Sequence, residues 1–540
     1  MSDRAPHLTE AEPVPDGPVA DPRVDDAAAR SGGAFPTRVA AIDIGSNAIR
    51  FLATEYSGPS ASTILEQVRA PVRLGHDVFL TGRLADGAVQ AAIDALHACR
   101  QRMDELGISR YRAVATSAVR DSDNGDEFLD RVREEAGIEI EVVTGAEEVR
   151  LVHQAVRSRI PLGEDRWILV DLGGGSVEVS LVDDRDVLWS VSHGMGSVRL
   201  LEELQVAGDE PGRFRRRLEE YAATLRIPTV GRARRAGFIA TGGNIETLAK
   251  LGGAVPDGNG VCRLPLAQLR SMVEQLARMS YRQRVTELGL REDRADVILP
   301  AATVYERLCT QSGFDVILVP NVGVKDGIVI DLVDDYARHE PHVERQEQIV
   351  FNGAVALGRR FRFDAPHGRH VAGLALSLFD QLRDLHKLAR DDRRILIGGA
   401  LLHDVGLFIN YRRHHKHSMY IISQSDLPGL NPVEIRMAAN VARYHRKGEP
   451  APHHLEYVSL SERERSRVSK LAAIVRIADA LDREHLQAVR AVAARVQENV
   501  VTLEMQTSGD GLLEKWAVQR KAALFEKLFG CKVRIQDGRT

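Results

Sequence analysis

The sequence predicts an α/β fold of two similar lobes, followed by an all-α region and a small α+β end. Three observations carry that expectation. Strand-like runs feed helices from residue 37 to 338, a strand–loop–strand unit occurs twice, and beyond 338 the pattern turns helical and gathers most of the 18 histidines. The expected divisions are a head at 1–36, a first lobe at 37–165, a second at 166–338, a helical domain at 339–490 and a terminal unit at 491–540.

The 540 residues are 44% hydrophobic, enough for about three or four ordinary cores. No apolar run is long enough to span a bilayer, and the start lacks the basic-then-apolar layout of a signal peptide, so the expectation is a cytoplasmic protein without a membrane partner. Cys99, Cys262, Cys309 and Cys531 are too scattered for a disulfide framework or a cysteine zinc site. A net charge of −4 gives no general attraction for nucleic acid. The charge is concentrated in the head, where Asp3, Glu10, Glu12, Asp16, Asp21, Asp25 and Asp26 outnumber Arg4, Arg23 and Arg30. Rich in Pro, Ala, Asp and Gly, that head is expected to be disordered.

The folded part opens with "TRVAAIDIG", "IRFLATEY", a turn at "SGPS" and "STILEQVRAPVRLG", three extended runs joined by short turns. "DGAVQAAIDALHACRQRMDELG" has apolar residues at helical spacing and stops at Gly107. "YRAVATSAV" is then a strand, "DEFLDRVREEAG" a helix, "IEIEVVTG" a strand and "AEEVRLVHQAVRSRI" a helix. A second cycle begins at "DRWILVDLGGGSVEVSLVDD". It repeats the first: Asp171 matches Asp43, Gly173 matches Gly45, and Gly175 stands where Asn47 stands. A third glycine turn, "FIATGGNIETLAKL", follows a strand and opens a helix. Two such halves imply a cleft between two lobes.

Glycines at successive turn positions let backbone N–H groups converge on an anion and tolerate positive φ. A phosphate is the expected tenant, and an aspartate ending the preceding strand suits Mg²⁺ or an oriented water. A single loop of this kind reads as an ordinary β-turn; its repetition, with an acid at the same offset, favours phosphate.

"AAIDIGSNAIR", "ATSAVRDSDN", "VVTGAEEVRL", "VDLGGGSVEVSLVD", "GMGSVRL" and "ATGGNIETLA", in this order, resemble the exopolyphosphatase/guanosine pentaphosphate phosphatase (Ppx/GppA) family of the actin-like, ribonuclease H-like superfamily. The resemblance implies Mg²⁺-dependent hydrolysis of a terminal phosphoanhydride. It places the general base at Glu148, beside Glu147; the plain alternative is a pair of first-turn acids favoured by the helix dipole. It makes Asp171 and Glu178 candidates for Mg²⁺ or water orientation, with Asp43 as their counterpart on the first lobe. Gly45, Ser46, Asn47, Gly173, Gly174, Gly175 and Ser176 become the phosphate cradle, with Gly242 and Gly243 at the third turn. Thr116, Ser117 and Arg120 fall on the family's active-site loop. Near the end of the second lobe the family often carries L-R-E-G where this chain has Val324, Lys325, Asp326 and Gly327, replacing a guanidinium fork by a point charge.

The helical region resembles an HD phosphohydrolase-type domain, whose H…HD…D order falls on His367, His403, Asp404 and Asp479, with His417 and His445 as second-site candidates. Such a donor set suits a transition metal. The alternative is an inherited helical domain that helps bind a polyanion through "YRRHHKHS" and "YHRKG". The expected substrate is inorganic polyphosphate, with pppGpp as the rival; an actin-like sugar kinase and a non-catalytic sensor are remoter readings. The resemblance also implies a homodimer. No specific nucleic-acid partner is expected.

Overall fold

The computed structural model describes residues 35–58, 61–205, 211–225, 227, 235–338, 342–446 and 448–538. The expected disordered head lies outside these residues up to position 34, as do the tip of the "SGPS" turn and Lys447. The chain forms two compact units that divide between residues 339 and 340.

The first unit is built on two sheets. Strands β1 (Thr37–Ile44), β2 (Ile49–Gly58), β3 (Ala61–Ala70), β4 (Arg110–Ala115) and β5 (Ile140–Val142) lie in the order β3-β2-β1-β4-β5. Strands β6 (Arg166–Leu172), β7 (Val177–Val182), β8 (Val187–His193), β9 (Arg235–Thr241), β10 (Cys262–Pro265) and β11 (Val316–Val319) lie in the order β10-β11-β9-β6-β7-β8. In each sheet a central strand pairs antiparallel with the next in sequence and parallel with one that returns through helical connections. β1 is buried along its last six residues, as expected of a strand covered on both faces. The sequence repeat is therefore a structural repeat.

Helices α1 (Asp86–Glu105) and α2 (Gly125–Ala136) cover one face of the first sheet, where Val89, Ile93, Leu96, Phe128 and Val132 meet Ile42 and Ile44. The other face is covered by α3 (Gly145–Arg157). In the second half come α4 (Gly243–Leu251), α5 (Ile298–Ser312) and α6 (Val324–Arg338). Leu151, Val152 and Val156 of α3 and Ile328, Val329 and Val333 of α6 share one core with Val39 and Ala41 of the first sheet and Leu169 and Ile239 of the second. Each such side chain contributes about 1.5–3 kcal/mol by leaving water. A Cβ on Gly327 would lie 2.1 Å from the Leu151 carbonyl oxygen, so only glycine permits the approach of α6 to α3. This shared core holds the carboxyl ends of β1 and β6 at one cleft.

The second unit consists of α7 (His342–Arg360), α8 (Ala365–Gln381), α9 (Asp392–Leu401), α10 (His414–Ser423), α11 (Pro432–Arg443) and α12 (Glu462–Ala480), then β12 (Val489–Gln497), β13 (Val500–Thr507), α13 (Leu512–Lys521), α14 (Ala523–Phe529) and β14 (Lys532–Asp537). The terminal strands and helices pack into the same core as the helices before them: Val501, Leu503, Val518 and Phe525 belong with Ile397, Val441 and Ile474. An apolar face of three strands and two short helices is too small to be buried by itself, and the helices complete it. Among the described residues no helix is long and apolar enough to cross a membrane.

Candidate active site

The two glycine loops are the turns of two matching hairpins. Gly45 N–H donates to the Ala48 carbonyl at 3.1 Å, and Gly173 N–H to the Ser176 carbonyl at 3.0 Å. Across the ladders Asp43 faces Arg50 and Asp171 faces Glu178. The loops come together: an added Cβ on Gly174 would lie 2.9 Å from Ser46 Cβ of the first lobe. Gly175 is as tightly held, its Cβ position lying 2.3 Å from Ser117 Oγ.

This corrects the expected reason for the glycines. None of Gly45, Gly173, Gly174 and Gly175 has a positive φ. At Gly174 and Gly175 what excludes a side chain is crowding by the side chains of Ser46, Val198, Ser117 and Phe79, whereas at Gly173 an added Cβ would meet only the Ser176 carbonyl oxygen, at an ordinary 3.6 Å. Gly196, of the "GMGSVRL" stretch, approaches most closely, with a Cβ position 2.3 Å from Gly174 backbone atoms. Gly242 does adopt positive φ, +106°, and a Cβ there would lie 2.5 Å from the Leu172 carbonyl oxygen.

A cleft, open to solvent, runs between the hairpins. Of the expected residues, Asp43, Gly45, Ser46, Asn47, Thr116, Ser117, Glu148, Asp171, Gly173, Gly174, Ser176 and Gly243 line it. Arg120, Gly175, Glu178 and Gly242 are not part of that lining. Lys325 pairs with Asp326 at 2.9 Å, and only Val324 of that stretch reaches the cleft.

Glu148 is placed by the start of α3. Thr144 caps that helix, its Oγ1 accepting from Glu147 N–H at 3.3 Å, a contact of about 1 kcal/mol. Both glutamates are buried, but they face different partners. Glu147 is gripped by Arg150 and Arg112 at 2.8 and 3.1 Å, within a network that includes Asp331 of α6. Although burial opposes its charge, these arginines hold its carboxyl below the usual range. It ties the helices to the sheet.

Glu148 instead turns to the cleft and accepts from Arg120 Nη1 at 2.8 Å. Arg120 also donates to the Val143 carbonyl at 2.8 Å, which fixes its guanidinium behind the acid. Burial pushes the Glu148 carboxyl up to about 7, reinforced by Asp171 and Asp43; Arg120 opposes this without overcoming it. The guanidinium, by contrast, stays charged in spite of burial because Glu148 is beside it. Glu178 is driven well above the carboxylate range by burial and by Glu148 and Asp171, and accepts from Ser192 Oγ at 2.8 Å. Asp171 is raised by burial and by Asp43, while a 2.6 Å bond from Thr241 Oγ1 works the other way. Carboxylates crowded together and buried thus favour their protonated forms more than free acids do.

Two basic residues were not singled out from the sequence. Arg50 pairs with Asp43 at 2.9 Å and occupies the hairpin position that Glu178 holds in the second lobe. The repeat carries that signal three residues beyond Asn47. Arg294, on the helical turn Glu292–Ala295, lines the cleft beside Gly243 and Asn244, donating to Asn244 Oδ1 at 2.6 Å. Its Nε is buried without a hydrogen-bond partner, and burial, with Arg69 and Arg50 nearby, lowers its pKa to about 10. Nothing local in the sequence marks Arg294. Asn244 in turn donates to Ser197 Oγ at 3.1 Å, bringing the third glycine turn to the "GMGSVRL" segment.

The acids that suit Mg²⁺ are Asp171 and Glu178, with Asp43 opposite and already engaged by Arg50. Two carboxylates of one hairpin match an ion that keeps most of its waters and shares substrate phosphate oxygens.

In the second unit the helices bring the H…HD…D residues together. His367 and His403 Nε2 lie 3.2 Å apart, with Asp479 Oδ1 3.8 and 3.7 Å from them. His414, rather than the expected His417, joins His445 at Asp404, at 3.0 and 3.3 Å. The reason is helical phase: α10 turns His414 and Ser418 inward and leaves His417 half-buried beside them.

Residues 55–336 match the model of the Ppx/GppA phosphatase family, and residues 352–522 match that of Ppx/GppA phosphatase domain III. Among solved structures, an exopolyphosphatase from Cytophaga hutchinsonii is 26% identical, with a TM-score of 0.52, over 98% of that chain and 55% of this one. The Aquifex aeolicus member of the Ppx/GppA family is also 26% identical, with a TM-score of 0.47, over 98% of its chain and 55% of this one.

Proposed function

Because the chain belongs to the Ppx/GppA phosphatase family, we propose that it is an exopolyphosphatase, cleaving the terminal phosphoanhydride of inorganic polyphosphate with water. The observation that carries this reading is Glu148: a buried carboxyl with a pKa near 7, held from behind by Arg120 and opening into the cleft between two glycine hairpins. Half ionised at neutral pH, it is matched to the removal of a proton from water. The water oxygen bonds to the terminal phosphorus, the bridging P–O bond breaks, and orthophosphate leaves a polymer shortened by one unit.

The cleft supplies the rest of the chemistry. Arg294 and Arg50 offer guanidinium charge to the phosphate, and the hairpin loops come close enough for backbone to contact its oxygens. Asp171 and Glu178 would hold Mg²⁺, which when bound would offset the negative charge of the transferred phosphoryl group. Polyphosphate, rather than pppGpp, is the substrate of this reading. The similarity to a protein described as an exopolyphosphatase points the same way. Phosphate release from long-chain polyphosphate and from pppGpp, measured side by side, tests the reading. A preference of tenfold or more for pppGpp overturns the substrate, and no release from either overturns the enzyme.

A further inference from the structure

The segment "GMGSVRL" leads into the helix Ser197–Leu204, which begins against the second glycine loop. Ser197 N–H donates to the Gly173 carbonyl at 3.0 Å, and Val198 and Arg199 N–H donate to the Gly174 carbonyl at 2.8 and 3.0 Å. The Arg199 side chain takes the next carbonyl, its Nε donating to Gly175 at 2.9 Å. Three successive carbonyls are thus held toward one helix. In a trans peptide the N–H points opposite to the C=O, so the N–H groups that follow, of Gly174, Gly175 and Ser176, are turned away from that helix. None of the three donates to another described residue. Gly174 and Ser176 are among the residues that line the cleft.

The rest of the Arg199 guanidinium crosses to the first lobe. Its Nη2 donates to Asp121 Oδ2 at 2.6 Å, and its central carbon lies 4.1 Å from the centre of the Phe79 ring. Phe79 itself presses on the loop, 2.5 Å from the Cβ position of Gly175. The other oxygen of Asp121 meets Arg120 Nε at 3.5 Å, and Arg120 is the group behind Glu148. A continuous line therefore runs from the Gly175 carbonyl through Arg199, Asp121 and Arg120 to the Glu148 carboxyl, from one lobe to the other. It calls for a guanidinium, because a planar fork donates to a carbonyl and a carboxylate in two fixed directions at once, which the point charge of a lysine does not.

We propose that Arg199 is a positioning residue for phosphoryl transfer: it fixes the Gly175–Ser176 peptide so that the Ser176 N–H faces the transferred phosphoryl group, and it locks that donor in register with Glu148 on the other lobe. This rests on the phosphatase reading of the cleft. Donors set in advance where charge develops stabilise the transition state more than the bound substrate. Arg199 touches no substrate; it acts through the peptide on one side and through Arg120 on the other. Removing the fork therefore lowers kcat more than it raises KM, since the other phosphates of the polymer still bind.

The test uses the full-length chain as Arg199→Met, which keeps a stem against Phe79 without the fork, and as Arg199→Lys, which keeps the charge. With polyphosphate, kcat is expected to fall by about tenfold or more in both variants, while KM stays within about threefold. Binding is read without turnover by calorimetry with inorganic orthovanadate, which takes up the five-coordinate geometry of the transferred group, and with orthophosphate. Arg199→Met is expected to weaken orthovanadate by about tenfold or more and orthophosphate by less than about threefold. Asp121→Asn, which leaves the Gly175 contact in place, is expected to lower kcat less than Arg199→Met does. Thermal unfolding gives the folded fraction to which rates are normalised, and if Arg199→Met does not fold, Arg199→Lys makes the same comparison. A kcat within about threefold of the wild type in Arg199→Met overturns the proposal, and so does a loss carried by KM alone. Full activity in Arg199→Lys, or orthovanadate binding that is equal in the wild type and Arg199→Met, also overturns it. A wild type that releases phosphate from neither polyphosphate nor pppGpp sinks the phosphatase reading instead, and the orthovanadate comparison still decides the role of Arg199.

Discussion

Arg50 and Glu178 occupy the same place in two hairpins that otherwise match residue for residue in register: Arg50 faces Asp43, and Glu178 faces Asp171. One hairpin therefore neutralises its strand-end aspartate, and the other adds a second acid to it. On the proposed reading the duplicated loop would then serve two electrostatic tasks, an anion on one side and a cation on the other.

Replacing Arg50 by Met should expose that division. Asp43 would keep a buried charge without its partner, so the first unit is expected to lose about 1–3 kcal/mol, less than the roughly 3–5 kcal/mol of a fully buried broken pair because Arg50 is partly exposed. KM for polyphosphate should rise more than kcat falls. Denaturant unfolding and steady-state kinetics check the two parts, and an unchanged KM removes Arg50 from substrate binding.

Glu148→Gln should lower kcat by about 10²–10⁴-fold, the usual worth of a general base. In the wild type, kcat/KM should rise with pH through a midpoint near 7, where the carboxyl ionises, and then level. A Gln variant whose residual rate keeps the same acid limb would assign that limb to another group, with Glu178 the first candidate.

The same acid makes a stability prediction of definite sign. Its carboxyl titrates near 4.5 when unfolded and about 7 when folded, so the unfolded chain loses its proton first. Stability is fully retained below pH 4.5, falls as pH rises to 7, and is lower above that by a figure on the order of 3 kcal/mol. Unfolding temperatures from pH 5 to 8 should fall more steeply for the wild type than for Glu148→Gln. Parallel curves would contradict the assignment.

Glu147→Gln should behave in the opposite way. It leaves Arg112 and Arg150 buried with less countercharge, a loss of about 3 kcal/mol or more. The folded fraction should retain kcat within a few-fold, since Glu147 faces the helix–sheet junction. Unfolding curves and active-site-normalised rates of the two neighbouring variants give the comparison.

Gly174→Ala tests the contact between the lobes. Its Cβ would lie 2.9 Å from Ser46 Cβ and 3.2 Å from Val198 Cγ2, so the loops must part. A fall in kcat/KM of at least tenfold is expected, at a stability cost of about 1–3 kcal/mol. The unfolding of the second unit should not move.

The sequence alone determined the hairpin repeat, the strand-end acids, the start of the helix that carries Glu148 and the H…HD…D series. These are local: each depends on a turn, a cap or a spacing that neighbouring residues dictate whatever the rest of the chain does. It also made plain that two loops share one task. Tertiary structure decided what each acid became. Glu147 and Glu148 are adjacent and alike, yet one meets two arginines and Asp331 while the other is buried beside Arg120, Asp171 and Asp43, so one is lowered and the other raised. Arg294 reaches the site from a helical turn with no motif of its own. Gly174 and Gly175 proved to be matters of close approach while Gly242 answers to φ as well, and His414 displaced His417 through helical phase and packing. Charge state and clearance depend on atoms brought from distant parts of the chain, and only the folded core places those atoms.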